Sequence, residues 1–152
     1  MRGANVLLVL GAALAPLVAL PSYAQPGADA NTLTVTDAWV RAVPGAAVAA
    51  AYMRLHNGGP RALRVTGVRS ALAGHAMIHE SQLVGGVSTM RPHEPLTISP
   101  GASVALEPGG LHVMLEDLAH PLAADEQVPL ELLLADGGRV AVSARVRPLS
   151  AE

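Results

Sequence analysis

Cysteine, lysine and phenylalanine are all missing from this sequence, and its aromatic side chains come down to Trp39, Tyr23 and Tyr52. Each absence excludes something. Without cysteine there is no disulfide, so the fold must be held by core packing alone, even in an oxidising compartment where such bonds are common. Without phenylalanine the core must be assembled from Val, Leu, Ala and Ile. Ten cationic side chains stand against twelve carboxylates, with no basic stripe, so nucleic acid is excluded as a partner. No Gly-x-Ser-x-Gly elbow is present, which removes the usual serine-hydrolase signature.

What is present begins with a leader. Arg2 is followed by a 15-residue apolar run from Val6 to Leu20, then by Ser22-Tyr23-Ala24 ahead of Gln25. A positive start, a short apolar stretch and a small-x-small site describe a secretory signal peptide over residues 1–24. The competing reading is an uncleaved anchor, but the run is short for a membrane span. No cysteine follows it to carry a lipid. The expected product is periplasmic, of the Gram-negative type, with about 128 residues and no later membrane span. Residues 25–31 read as a flexible leader, 32–148 as one folded domain and 149–152 as a tail.

Turn residues punctuate that domain. Leu33, Val35 and Asp37 alternate with threonines, as in an edge strand, and Ala38-Trp39-Val40 continues it. Trp39 is expected to anchor the core. Ala46 to Asn57 is alanine-rich enough for a helix, but its length and the Asn57-Gly58-Gly59-Pro60 turn favour a strand. Met53 is expected in the core and His56 in solvent. Further strands are expected at 63–68 (Leu63, Val65 and Gly67 on one side), 75–80, 87–90, 96–98, 103–106 and 111–115. A hairpin of 128–134 and 139–146 closes around Ala135-Asp136-Gly137-Gly138. Many short strands at close spacing, with no confident helix, indicate an all-β Greek-key sandwich or barrel.

The chemistry concentrates between His79 and Met114. Side chains alternate across a strand, so His112 and Met114 point one way while Leu111, Val113 and Leu115 point into the core. His75, Met77 and His79 share a face in the same manner, opposite Ala76 and Ile78. Met90 stands beside Arg91-Pro92. A single methionine or histidine on a strand is ordinarily core or solvated surface. Here the exposed face of a core strand carries His and Met where Thr, Ser or charge is usual. Thioether sulfur is soft and imidazole borderline, a combination matched to Cu(I). Zinc sites use Cys, His or carboxylate, and Ca²⁺ and Mg²⁺ want oxygen. A blue-copper centre needs a thiolate, so the absent cysteine turns the metal reading from electron transfer to carriage.

The order His79, ten residues, Met90, twenty-one residues, His112-x-Met114 resembles the periplasmic copper chaperones of the PCu(A)C type. The similarity extends through Asp37-Ala38-Trp39-Val40-Arg41, Ala49-Ala50-Ala51-Tyr52 to Asn57, Ile78-His79-Glu80, Met90-Arg91-Pro92 and Pro108-Gly109-Gly110-Leu111-His112-Val113-Met114-Leu115. The resemblance implies a cupredoxin-like β-sandwich with an exposed Cu(I) site made by His79, Met90, His112 and Met114. It implies a non-enzymatic monomer that binds one Cu(I) per chain. It also implies delivery to the dinuclear copper centre of a respiratory oxidase, directly or through a thiol-bearing assembly factor.

Two departures from that family matter. Some members carry a methionine directly after the first histidine, where this chain has Glu80. Met77, His75 and His93 are therefore candidates for auxiliary ligation. Some members have a His- and Met-rich tail that adds a Cu(II) site, which this sequence lacks, so Cu(II) binding is expected to be weak. Two other readings stay open at this level: copper sequestration without a delivery partner, and a non-metal adhesion sandwich in which these residues are incidental.

Overall fold

The computed structural model describes residues 32–147. The expected signal peptide 1–24, leader 25–31 and tail 149–152 lie outside the described residues, as does Pro148. Ten strands follow one another: β1 (Leu33–Ala42), β2 (Ala49–Asn57), β3 (Leu63–Ser70), β4 (Ala73–Val84), β5 (Val87–Pro92), β6 (Leu96–Ile98), β7 (Ser103–Leu106), β8 (Leu111–Leu118), β9 (Gln127–Leu134) and β10 (Arg139–Arg147). Hydrogen bonding runs in the order β5-β4-β8-β2-β1-β10-β9-β3-β6, with β7 also on β2. The fold is an all-β, cupredoxin-like sandwich.

β1 joins the layers. It pairs antiparallel with β2 and, over Trp39 to Arg41, parallel with β10. It is therefore central, where its alternating threonines had indicated an edge. A register break between Thr36 and Trp39, with Asp37 at φ 53°, adds twist and lets one strand serve two partners. The break also turns Trp39 away from the core. Val40 is fully buried in its place, and Trp39 lies half-buried against Tyr52, ring centroids 4.6 Å apart, with the Arg147 guanidinium 4.7 Å from its centroid.

The apolar core is aliphatic, as the missing phenylalanine requires. Ile78, Val113 and Leu115 of one layer meet Val65, Leu130 and Leu132 of the other, with Leu55 and the expected Met53 among them. Alternation also shifts in β3. A break between Val65 and Gly67 brings Val68, rather than Gly67, into the core. The alanines of β2 are strand residues whose small size lets Ala49 and Ala51 lie buried beneath the neighbouring strands. His56 is exposed, its Nδ1 2.9 Å from the Ser103 hydroxyl.

Asn57 closes β2 from inside the protein, with no exposed surface. Its side-chain amide donates to the carbonyls of Arg61 (2.7 Å), Ile98 (3.0 Å) and Ser99 (3.3 Å), and its Oδ1 accepts from Gly59 N–H at 2.9 Å. One side chain thus ties the β2–β3 turn to the end of β6.

Candidate metal centre

Three strands build the site, and a tight turn sets their register. Gly85 and Gly86 have φ of 59° and 81°, conformations nearly closed to other residues. They join Val84 to Val87 as a two-residue hairpin turn. That turn fixes Met90 opposite Ser81, so Met90 lies within β5 rather than at its end. On the other side of β4, the ladder to β8 sets His79 opposite His112 and Met77 opposite Met114. Directly paired residues share a face. The other face of the same two strands carries Ile78, Val113 and Leu115, all fully buried. The alternation read from the sequence is therefore realised: hydrocarbon inward, His and Met outward.

The two imidazoles stand close and edge-on, centroids 6.0 Å apart with planes at 89°. His112 is only 4 % exposed. Its Nδ1 lies 3.1 Å from the Gly110 carbonyl; the carbonyl can only accept, so Nδ1 carries the proton and Nε2 the lone pair. A backbone acceptor on one ring nitrogen is the usual outer support of a metal-binding histidine. His79 shows the complementary sign. Its Nδ1 is buried and has no hydrogen-bond partner, an arrangement costly for a polar atom that has nothing to bind.

Met90, His112 and Met114 border one cleft of about 470 Å³, together with Tyr52, Arg41 and the hairpin residues Leu83 and Ser88. Arg41 is the single charged side chain in that lining, and no carboxylate enters it. Among the described residues no three His, Cys, Asp or Glu side chains gather as a metal site. The donors that do gather are two imidazoles and thioethers, a set too soft for Ca²⁺ or Mg²⁺ and poor for Zn²⁺. Met90 is 56 % exposed, so the site opens to solvent along the β4–β5 hairpin.

The auxiliary candidates separate. His75 Nδ1 is 3.0 Å from Asp117 Oδ2, at the far end of the ladder. His93 Nδ1 is 3.4 Å from Glu80 Oε2, and Glu80 belongs to the opposite face of β4. Neither is brought to the histidine pair. Met77 is.

Tyr52 had no role assigned from sequence, yet it lines the cleft, with its ring 6.4 Å from that of His112. Burial pushes its phenol above the ordinary 10.0, and the Arg41 charge pulls the other way. Its alternation with Ala49, Ala51 and Met53 marked it as outward-facing. Its neighbour across the ladder could not be read without the register.

The chain resembles several known proteins. The family model described as "Putative lipoprotein LpqE-like" matches residues 33–146. A protein of Leifsonia xyli subsp. xyli (strain CTCB07), described as "Putative lipoprotein Lxx21020", is 32 % identical over 152 residues, covering 99 % of this chain and 91 % of the relative. Among solved structures, apo-DR1885 from Deinococcus radiodurans is 33 % identical over 93 % of this chain and 96 % of its own, with a TM-score of 0.61. The CuI-DR1885 structure from the same organism is 30 % identical over 85 % of this chain and 83 % of its own, with a TM-score of 0.60. The copper-bound PCuAC domain from PmoF2 is 25 % identical over 76 % of this chain and 92 % of its own, with a TM-score of 0.63.

Proposed function

The chain belongs to the LpqE-like family, which is PCuAC-like, and from that premise we propose that it is a Cu(I) metallochaperone whose ligands are His79, Met90, His112 and Met114. The observation that carries this reading is the rung His79–His112, two imidazoles 6.0 Å apart, one with an unpartnered buried nitrogen, beside a cleft lined by Met90 and Met114. Copper-bound relatives support the choice of metal: one neighbour is a CuI form and another a copper-bound PCuAC domain.

When bound, Cu(I) would take nitrogen and thioether donors, all neutral, and keep its single positive charge. The residues do the rest. Gly110 orients His112 through Nδ1. The buried face of β4 and β8 holds both histidines on one rigid ladder. Exposed Met90 is the donor that an incoming partner meets first. An outward-facing weak ligand favours handing copper over rather than storing it, which favours delivery over sequestration.

The proposed acceptor is the copper centre of a respiratory oxidase, or a thiol-bearing factor that assembles it. The proposed setting is the periplasm, reached through the leader over residues 1–24. The family description names a "Putative lipoprotein"; the thioether-linked lipid of a bacterial lipoprotein needs a cysteine, and this sequence contains none.

Competition titration under reducing conditions tests the reading. One Cu(I) equivalent is expected, with nitrogen and sulfur in its X-ray absorption spectrum. Unchanged Cu(I) affinity in both His112→Ala and Met114→Ala would remove the assigned site. A copper-loaded protein that gives nothing up to a thiol-bearing acceptor would point to sequestration.

A further inference from the structure

Beside His79, His112 and Met114, the outer face of β4 and β8 holds a further thioether, that of Met77. His79 is opposite His112, and on the next rung Met77 is opposite Met114. These four residues form a two-by-two block. Paired residues are about 5 Å apart between Cα atoms and successive residues on one face about 7 Å apart. Each corner is therefore within about 9 Å of the others, a span that methionine and histidine side chains cross easily. Met90 stands differently. It pairs with Ser81, one rung beyond His79, on a strand two removed from the one carrying His112 and Met114. It is 56 % exposed, whereas Met77 is half-buried. β5 ends at Pro92, opposite His79, so no β5 residue stands across from Met77.

We infer that Met77 is a fifth copper donor, so that the chain has an inner Cu(I) position, made by His79, His112, Met114 and Met77, and an outer one in which Met90 replaces Met77. The inference rests on the Cu(I) reading above. The exchange swaps one neutral thioether for another, so donor types and charge are the same before and after. Only the exposure of the ion changes. At the inner position copper lies over the ladder, held by donors of two paired strands. At the outer position it is drawn toward the open hairpin, where a partner's ligand can reach it. When that ligand displaces Met90, His79, His112 and Met114 keep the ion on the ladder until transfer is complete, and Met77 takes the open place if the partner leaves without it. Neither neighbouring histidine can serve so well, because His75 is held by Asp117 and His93 by Glu80.

The test compares Cu(I)-loaded wild type, Met77→Leu, Met90→Leu and the double variant by X-ray absorption and competition titration. Leucine conserves volume, and thermal unfolding of the apo proteins verifies that each is folded. Wild type and both single variants are expected to keep two sulfurs at copper, each single variant losing about tenfold in affinity or less, about 1.4 kcal/mol. The double variant is expected to keep one sulfur and lose about a hundredfold. One sulfur in Met90→Leu, or a double variant no weaker than Met90→Leu, overturns the assignment of Met77. Failure of the wild type itself to bind Cu(I) overturns the copper reading, and is recognised because it precedes any substitution.

Discussion

Asn57 and His112 are the buried polar side chains among the described residues, and they belong to opposite kinds of region. Asn57 has used its hydrogen-bonding capacity: its amide donates to backbone carbonyls, at 2.7 Å and 3.0 Å for the shorter two, and its oxygen accepts from Gly59. His112 has used half of its own, on Gly110, and its partner across the ladder, His79, leaves a buried nitrogen unpartnered. Burying a polar atom costs free energy unless a partner replaces water. A satisfied buried group is thus explained by the fold itself. An unsatisfied one needs another explanation, and here the surrounding donors supply it.

The largest effect that would sharpen this contrast is on the framework side. Asn57→Ala removes the amide that donates to the carbonyls of Arg61, Ile98 and Ser99 and the oxygen that accepts from Gly59 N–H, with an expected loss of about 3 kcal/mol in unfolding free energy. Denaturant unfolding of the apo protein measures it, and Cu(I) affinity of the folded fraction should stay as in the wild type. Next in size is the reverse case. His112→Ala should weaken Cu(I) binding at least a hundredfold, about 2.7 kcal/mol, while apo stability falls by only about 1 kcal/mol for the lost bond to Gly110. A hundredfold excess of Cu(I) over its dissociation constant should stabilise the wild type by about 2.7 kcal/mol, and at that concentration His112→Ala should gain little. If Asn57→Ala lost affinity and His112→Ala lost mainly stability, the division between the two regions would be wrong.

Much of this is legible in the sequence. Alternation placed His112 and Met114 opposite Leu111, Val113 and Leu115, because a strand's side chains have a period of two whatever its neighbours are. Turn residues located the strands for the same local reason. Pairing is a different matter, since it is fixed by contacts far apart in sequence. Thus the threonines of β1 mimicked an edge, although the strand is shared by β2 and β10. Trp39 was expected inside because aromatic bulk favours burial, but the break at Asp37 inverts the alternation just before it. The position of Met77 facing Met114 also needed the ladder. From the sequence it is one of three auxiliary candidates; the register sets it beside the histidine pair, whereas His75 is held by Asp117 and His93 by Glu80.

Tyr52 tests where the framework ends and the site begins, through the smallest of these effects. Burial raises its phenol above the ordinary 10.0 despite Arg41, so the folded state holds that proton after the unfolded chain has released it. The sign follows from linkage. The stability owed to the neutral phenol is complete below about pH 10 and is lost as pH rises from there through the raised folded value. Tyr52→Phe removes this dependence, so its alkaline limb should be flatter than that of the wild type, with no such difference at neutral pH. Denaturant midpoints between neutral and strongly alkaline pH measure it. The ring, which contacts Trp39 and His112, remains in the variant, so Cu(I) affinity at neutral pH should change less than about threefold, under 0.7 kcal/mol. An affinity loss comparable to that of Met114→Ala, with the alkaline limb unchanged, would move the phenol from the wall of the cleft into the metal's own environment, and the boundary of the site would then lie on β2 rather than β8.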